Sequence, residues 1–410
     1  MRLLCITNLF PMPEVTGTHV RVLGLLRSLA AVHAVHLLCR GDDTAGSYLA
    51  ALRDELRGAE VEEFDPGPPA AGTPAAMVGR WSAAMWRGMP TWIAAQHHDG
   101  LLERAVSLAP GFDAVVILDD YAGSYVPRLR QVPGVGAIVA DKGNVMGASL
   151  LEPDPEAGFR GRVRTRIDRH LVRRHERRYV GLVDGVVVTS SVEGARLHDL
   201  YGRRPDAVVP SAVTLFDVPE ATPTGPPGVL YVGNLEYGPN IEGLIRFVEA
   251  AWPPLAERGA ELLVAGVASP SQRGALARHA GVRLLGFVDD LAPLCAAATV
   301  AVAPVWRGAG VKVKTLTLLG AGLPLVATPV AMEGIAADHD RHALVAGTPA
   351  GLAAAIGDLL DDHDRRARLG AAGRALVAER YTWASVGPAF VEAVEQVRGR
   401  HPAPGTDAAG

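Results

Sequence analysis

Cysteine is scarce in this chain of 410 residues. Cys5, Cys39 and Cys295 lie far apart and none belongs to a CxxC pair, which excludes a disulfide framework and a thiolate zinc site. Buried thiols in a reducing compartment are the expectation. No apolar run reaches 18 residues, so no membrane-spanning helix is expected. The opening MRLLCITNLF carries one arginine and a short apolar run before Asn8 and Pro11, which suits a first strand better than a secretion signal. Neither charge sign dominates: the net charge is −4, too small and of the wrong sign for wholesale nucleic-acid binding. The thirteen histidines are scattered, and His97 and His98 have no carboxylate at ligand spacing, so no metal centre is expected. A cytoplasmic protein without cofactor follows as an expectation.

What is present is an alternation of short apolar strands and amphipathic helices, the pattern of α/β layers with parallel sheets. Strands are predicted over Arg2–Thr7, Ala34–Leu38, Ala114–Leu118, Ala137–Ala140, Gly185–Thr189 and Ala207–Val209. A helix is predicted over Thr18–Val32, with Val20, Leu23, Leu26 and Leu29 near helical spacing. The stretch Val209–Gly228 is dense in Pro, Gly and Thr and reads as a linker. Beyond it the pattern restarts, with strands at Val229–Val232, Glu261–Ala265, Arg283–Leu285, Thr299–Ala303 and Leu325–Thr328 and a helix from about Ile241. Helices fill much of Ala350 to Val397. At this length two domains are expected. They are residues 1–212 and 213–384, with a helix at 385–398 packing back on the first domain and a disordered tail at 399–410.

The most informative segment is PVWRGAGVKVKTLTLLGAGLPLVATPVAMEGI, Pro304 to Ile335. It runs strand, glycine loop, helix, strand, the unit that sets backbone N–H groups and a helix N-terminus beside an anion. Gly308 and Gly310 leave no Cβ between the backbone and a phosphate. Arg307, Lys312 and Lys314 add positive charge. The predicted ligand is a diphosphate; such turns also serve tight packing alone.

These segments resemble glycosyltransferase family 4. The resemblance spans nearly the whole chain and is strongest in VLYVGNLEYGPNIEGLIRFV, LLGFVDDLAPLCAAATVAVAPVWRGAGVKVKTL, GLPLVATPVAMEGI and YTW. It is weaker in NLFPMPEVTGTHVRVLGLLRSLA, HERRYVGLVDGVVVTSSVEGARL and VVPSAV. It implies the GT-B architecture, two Rossmann-like doubly wound domains facing across a cleft. It also implies retaining transfer of a sugar from a nucleotide-diphosphate sugar, with no obligatory metal. Carried over residue by residue, Gly17, Gly233, Asn234, Arg307, Gly308, Ala309, Gly310, Val311, Lys312, Lys314, Thr317 and Glu333 would bind the donor.

Three departures stand out. The paired glutamates of the family fall on Ala309 and Thr317, and a threonine cannot reproduce a charge-assisted bidentate grip on ribose. The Arg and Lys that usually follow the VG turn are missing from NLEYGPNIEG. The histidine of the fDvVh-like strand is replaced in FDAVVILDDYAG, which ends on Asp119 and Asp120. Transfer can survive these losses because stabilising the leaving diphosphate is mainly electrostatic.

Lys314 and Asp120 are therefore the expected catalytic residues. Thr16, Thr18, His19, Asp119, Asp120, Asp141, Lys142 and Asn144 are the expected acceptor contacts, since strand and helix ends line such sites. Thr18 reads equally as a helix N-cap, and the acids as solvated turn residues. Arg160 to Arg178 holds nine arginines against two acids. A solvated helix face is the favoured account, and peripheral membrane contact the lesser one. The partners expected are a nucleotide sugar and an acceptor, with a small metabolite preferred over a lipid-linked or polymeric one. A non-catalytic relative of the same fold and a sugar-nucleotide epimerase are the competing classes. If ribose takes the family position, Thr317→Glu tightens nucleotide binding; equilibrium titration against the parent protein checks this.

Overall fold

The computed structural model describes residues 1–43, 45–65, 88–149, 158–219 and 225–401. By contacts the chain falls into two compact units, Met1–Pro210 with Gly387–Gly410, and Ser211–Val386.

The first unit is built on a seven-stranded sheet in the order β3-β2-β1-β4-β5-β6-β7. Its strands are β1 (Arg2–Thr7), β2 (Ala34–Arg40), β3 (Glu60–Phe64), β4 (Ala114–Ile117), β5 (Ala137–Lys142), β6 (Gly185–Val188) and β7 (Ala207–Val208). Every pairing is parallel. Sequences such as AVVI and GVVV form its centre because a parallel sheet is covered on both faces, and all eight of those residues are buried. The edge strand β3, EVEEF, escaped the sequence reading because three glutamates interrupt its apolar pattern. An edge strand tolerates and uses such charge, and Glu60 and Glu62 both approach His36 on β2.

The second unit carries a six-stranded sheet, β10-β9-β8-β11-β12-β13. Here the strands are β8 (Gly228–Val232), β9 (Glu261–Ala265), β10 (Val282–Gly286), β11 (Val300–Ala303), β12 (Leu325–Ala327) and β13 (Leu344–Val345). All pairings are again parallel. The two-residue β13 was too short to read from sequence.

In both sheets the order reverses beside the first strand, between β1 and β4 and between β8 and β11. Loops leaving the carboxyl ends of those strands diverge there and open a crevice in each unit. Close backbone approach shapes the second crevice. A Cβ on Gly266 would lie 1.9 Å from the Gly233 carbonyl oxygen, and one on Gly243 would lie 2.0 Å from that of Pro304. Only glycine permits either contact.

Several local expectations are corrected. The helix after the glycine loop, given no bounds by the sequence, spans Val313–Gly320 with Lys312 as its N-cap. The N-cap of the Gly17–Ala30 helix is Thr16, not Thr18. The linker is not a free tether over its first part. Val213 pairs with Thr382 and, with Leu215, Phe216 and Val218, packs on the second core; residues 220–224 lie outside the described residues. The last helix runs Trp383–Arg400, past residue 398, and the predicted tail lies outside the described residues from 402 onward. Within the first unit, this helix sets Val397 against Gly185 and Arg400 on Asp206 at 2.6 Å.

A buried ion pair ties the first unit's opening helix to its sheet. Arg21 donates Nε and Nη2 to the two oxygens of Asp141 at 2.7 and 2.5 Å, and Nη1 to the Pro210 carbonyl at 3.0 Å. Their side chains are 5% and 1% exposed. Arg21→Met leaves Asp141 buried without its partner and should cost about 3–5 kcal/mol of stability. Denaturant unfolding of the two proteins reads this directly.

Candidate active site

The second unit's crevice is lined by the end of β8, the loop after β11 and the helix that follows it. Gly308 and Gly310 have φ of +133° and +67°, conformations that glycine enters without strain. The loop between them is held by Lys312, whose Nζ donates to the Gly310 and Gly308 carbonyls at 2.8 and 3.3 Å. Arg307 sits 3.5 Å from Glu242 at the surface.

Lys314 occupies the first turn of the Val313–Gly320 helix. Its ammonium donates to Asn240 Oδ1 at 2.7 Å and Tyr231 Oη at 3.3 Å and lies 4.9 Å from the centre of the Tyr231 ring. A Cβ on Gly233 would come within 3.3 Å of that ammonium, so Gly233, Asn240, Tyr231 and Lys314 form one cluster. Asn240 in turn donates Nδ2 to the Asn234 carbonyl at 2.7 Å, and Asn234 Oδ1 accepts from the Glu236 amide at 2.9 Å. Among the described residues no carboxylate pairs with Lys314. Burial, with the nearby charge of Lys312, pushes its pKa down to about 7. A cation held without an anion next to a glycine loop is ready to receive one.

Thr317, expected to reach toward a ligand, donates its hydroxyl to the Val313 carbonyl at 3.1 Å. That hydrogen belongs to its own helix, which explains why the residue cannot stand in for an acid. Gly310 precedes the helix and belongs to the loop. Glu333 closes the short Pro329–Met332 helix as its C-cap and is half-buried. Ala309 and Val311 line the loop. Tyr231 and Asn240 were missed because neither belongs to the glycine motif; their one signal was position, at the end of a strand and the start of a helix.

The first unit gathers its polar residues at the ends of β1, β4 and β5. Asp119 is 4% exposed and fully used: Thr7 Oγ1 and the Asn8 amide donate to Oδ2 at 2.8 and 2.6 Å, and the Tyr121 and Ala122 amides donate to Oδ1 at 2.8 and 2.9 Å. It clamps the β1 and β4 loops together and is neither solvated nor open to an acceptor. Asp141 is committed to Arg21. Lys142 is wholly buried and donates to Asp120 Oδ1 at 2.6 Å, Glu176 Oε1 at 2.7 Å and Tyr179 Oη at 2.5 Å. Burial would lower its pKa, but Asp120, Glu176 and Tyr179 outweigh that and hold it well above the lysine range. Of the expected acceptor contacts, Asp120 and Asn144 keep unpaired polar atoms in this region; Asn144 Oδ1 is buried without a partner. The Asn8 side-chain amide is likewise buried with Nδ2 unpaired, while its Oδ1 accepts from Tyr125 Oη at 2.7 Å.

At the N-terminus of the Gly17–Ala30 helix, Thr16 Oγ1 and His19 Nδ1 lie 2.5 Å apart, and burial pushes the His19 pKa down. Gly17 and Thr18 are exposed. The arginine-rich helix spans Phe159–Val180 and is two-natured. Val163 and Ile167 stand 41% and 45% exposed rather than forming a buried stripe. Its second half buries Leu171, Val172, His175, Glu176, Tyr179 and Val180. Sequence reasoning missed Glu176 and Tyr179, although their spacing continues the stripe of Leu171 and Val172.

Among the described residues no group of three or more His, Cys, Asp or Glu could hold a metal ion, and no helix is long and apolar enough to cross a membrane.

Comparison with known proteins agrees with this geometry. Residues 226–362, which contain the whole second crevice, match the model for glycosyl transferases group 1. Sucrose-phosphate synthase from Thermosynechococcus elongatus superposes with a TM-score of 0.72 at 18% identity, covering 98% of this chain and 100% of that one. HepE from Anabaena, solved in complex with UDP and glucose, superposes with 0.66 at 15% identity, covering 97% and 100%. A point mutant of TarM from S. aureus, solved in a complex containing UDP, gives 0.68 at 9% identity, covering 97% and 99%. No curated protein sequence matches the chain. The fold is GT-B, with two Rossmann-like domains, and the match of residues 226–362 to the group 1 glycosyl transferase model supports an enzyme of the transferase class.

Because Lys314 is lowered in the folded state, the unfolded chain alone holds its proton between pH 7 and 10.5. Its burial therefore costs stability below that window, and the cost is lifted as pH rises through it, by at most about 1.4 kcal/mol per pH unit. Lys314→Met should flatten that rise, which unfolding free energies measured across the window will show.

Proposed function

We propose that the protein is a retaining glycosyltransferase that moves a sugar from a nucleotide-diphosphate sugar to a hydroxyl of a small organic acceptor. The observation that carries this is Lys314, an ammonium whose partners among the described residues are neutral, set beside the Gly308–Gly310 loop at the start of a helix. A diphosphate supplies the missing negative charge, and the loop supplies backbone N–H groups where oxygen charge grows as the sugar leaves. The solved complex of HepE with UDP and glucose, on the same fold, supports a nucleoside diphosphate and a hexose as the donor class. Retention is what the resemblance to family 4 implies, and Ala309 in the loop and Thr317 on the helix stand where that family has acids. Charge stabilisation of the leaving group, and not a carboxylate nucleophile, is what the residues provide.

The acceptor side is the first unit. Asp120 and Asn144 supply polar atoms there. Tyr121, edge-on to Trp92 with centroids 5.9 Å apart, supplies an aromatic wall backed by Met89, Ile93, Met146 and Val172. Ring faces with a few polar groups suit a small organic molecule.

Thermal unfolding against a panel of nucleoside diphosphates tests the donor. A hundredfold excess over Kd stabilises the protein by about 2.7 kcal/mol. One base should raise the midpoint of the parent protein, and Lys314→Met should lose most of that rise. Binding at about pH 8 should also draw up a proton, as the diphosphate restores the charge on Lys314; calorimetry in buffers of different ionisation enthalpy measures it. No midpoint shift with any nucleotide would favour a non-catalytic protein.

A further inference from the structure

The helix Phe159–Val180 is 22 residues long, and its two sides differ in charge. At about 3.6 residues per turn, Val172, His175, Glu176 and Tyr179 share one side, and all four are buried. Val163, Ile167, His170, Arg174 and Arg177 run along the opposite side, and all five are exposed. Both acids of the helix turn away from this outer side. The Asp168 side chain is 14% exposed and that of Glu176 0% exposed. Glu176 is spent in the interior, where it accepts from Lys142 at 2.7 Å and from the Gly147 amide at 2.7 Å.

The outer arginines are left without acids. Arg166, Arg173, Arg174, Arg177 and Arg178 are exposed, and among the described residues none of the five has a carboxylate partner. Arg173 and Arg177 donate to the Gly147 and Leu200 carbonyls at 3.0 and 3.1 Å, contacts that neutralise no charge. In the second unit, by contrast, Arg258, Arg278 and Arg283 are paired with Asp361, Glu249 and Glu261. The same outer side carries Val163 and Ile167, 41% and 45% exposed and one turn apart. Among the described residues they are the two exposed large apolar side chains that stand a turn apart on one helix.

We propose that this outer side is a docking surface for an anionic lipid bilayer, lying flat at the headgroup level. The five arginines match the phosphates of the headgroups in charge and in hydrogen-bonding geometry. Val163 and Ile167 decide between a bilayer and a soluble polyanion. A nucleic-acid backbone offers phosphate but no apolar layer, whereas the boundary between headgroups and acyl chains receives both kinds of side chain. Two aliphatic side chains are too few for deep insertion, so the contact is peripheral and reversible. The surface belongs wholly to the first unit and stands whether or not the transfer function does.

Cosedimentation of the full chain with extruded vesicles tests this. One set is phosphatidylcholine alone and the other equal parts phosphatidylcholine and phosphatidylglycerol. The parent chain should partition onto the anionic set and stay off the neutral one. Salt that shortens the screening length to about 3 Å should release most of it. Arg166→Gln with Arg174→Gln should lower the partition coefficient roughly 25-fold, about fivefold for each arginine. The charge-keeping pair Arg166→Lys with Arg174→Lys should hold it within a few-fold of the parent. Val163→Ser with Ile167→Ser should lower it by about tenfold or more. All four positions are exposed, so every variant should keep the parent's circular dichroism and thermal midpoint. Equal partition onto the two vesicle sets overturns the proposal. So does a Val163→Ser with Ile167→Ser variant that binds as the parent does, since the surface would then read charge alone. Duplex DNA that strips the parent chain from anionic vesicles at equal phosphate concentration overturns it as well, in favour of a nucleic-acid partner.

Discussion

A buried charge must find a partner or give up its proton, and this protein answers that constraint in both ways. Each unit places a lysine near the carboxyl ends of a parallel sheet. Lys142 is surrounded by Asp120, Glu176 and Tyr179 and is held well above the lysine range. Lys314 meets an amide oxygen, a phenol oxygen and a ring face, and is pushed down to about 7. The first arrangement is complete without a ligand. The second answers its burial by releasing its proton more readily.

The fold makes such placement possible. In a parallel sheet every strand delivers its carboxyl end to the same rim, and reversal of strand order parts the loops beside β1 and β8. The rim then holds whatever those loops carry. Around β1 and β4 it is an acid clamp, Asp119 across two loops. Around β8 and β11 it is backbone brought close by glycine, with Gly266 against Gly233 and Gly243 against Pro304. Charge organises one crevice and the absence of side chains organises the other.

The arginine-rich helix shows why composition misleads. Nine arginines dominate its sequence and point to a solvated or anion-binding face. Its second half nonetheless delivers Glu176 and Tyr179 to the interior, because the stripe of Leu171, Val172, His175, Glu176, Tyr179 and Val180 faces the core. Arginine accommodates this well, since it extends outward from positions flanking the stripe while the helix keeps its buried side.

Sequence by itself determined the α/β class, most strands to within a residue or two, and the glycine loop with Lys314 close after it. These rest on local physics: apolar runs make buried strands, and glycine alone enters the loop's φ values. The edge strand β3 and the short β13 were illegible because pairing, not pattern, defines them. Which acids are spent on structure was equally illegible. Asp119, Asp120 and Asp141 look alike in the chain. Only tertiary packing sends the first to four hydrogen bonds, the third to Arg21, and leaves an oxygen of the second open. Hydrogen-bond capacity is settled between segments far apart in sequence, here residues 7, 8, 21, 142 and 179. No local pattern records which of them will meet.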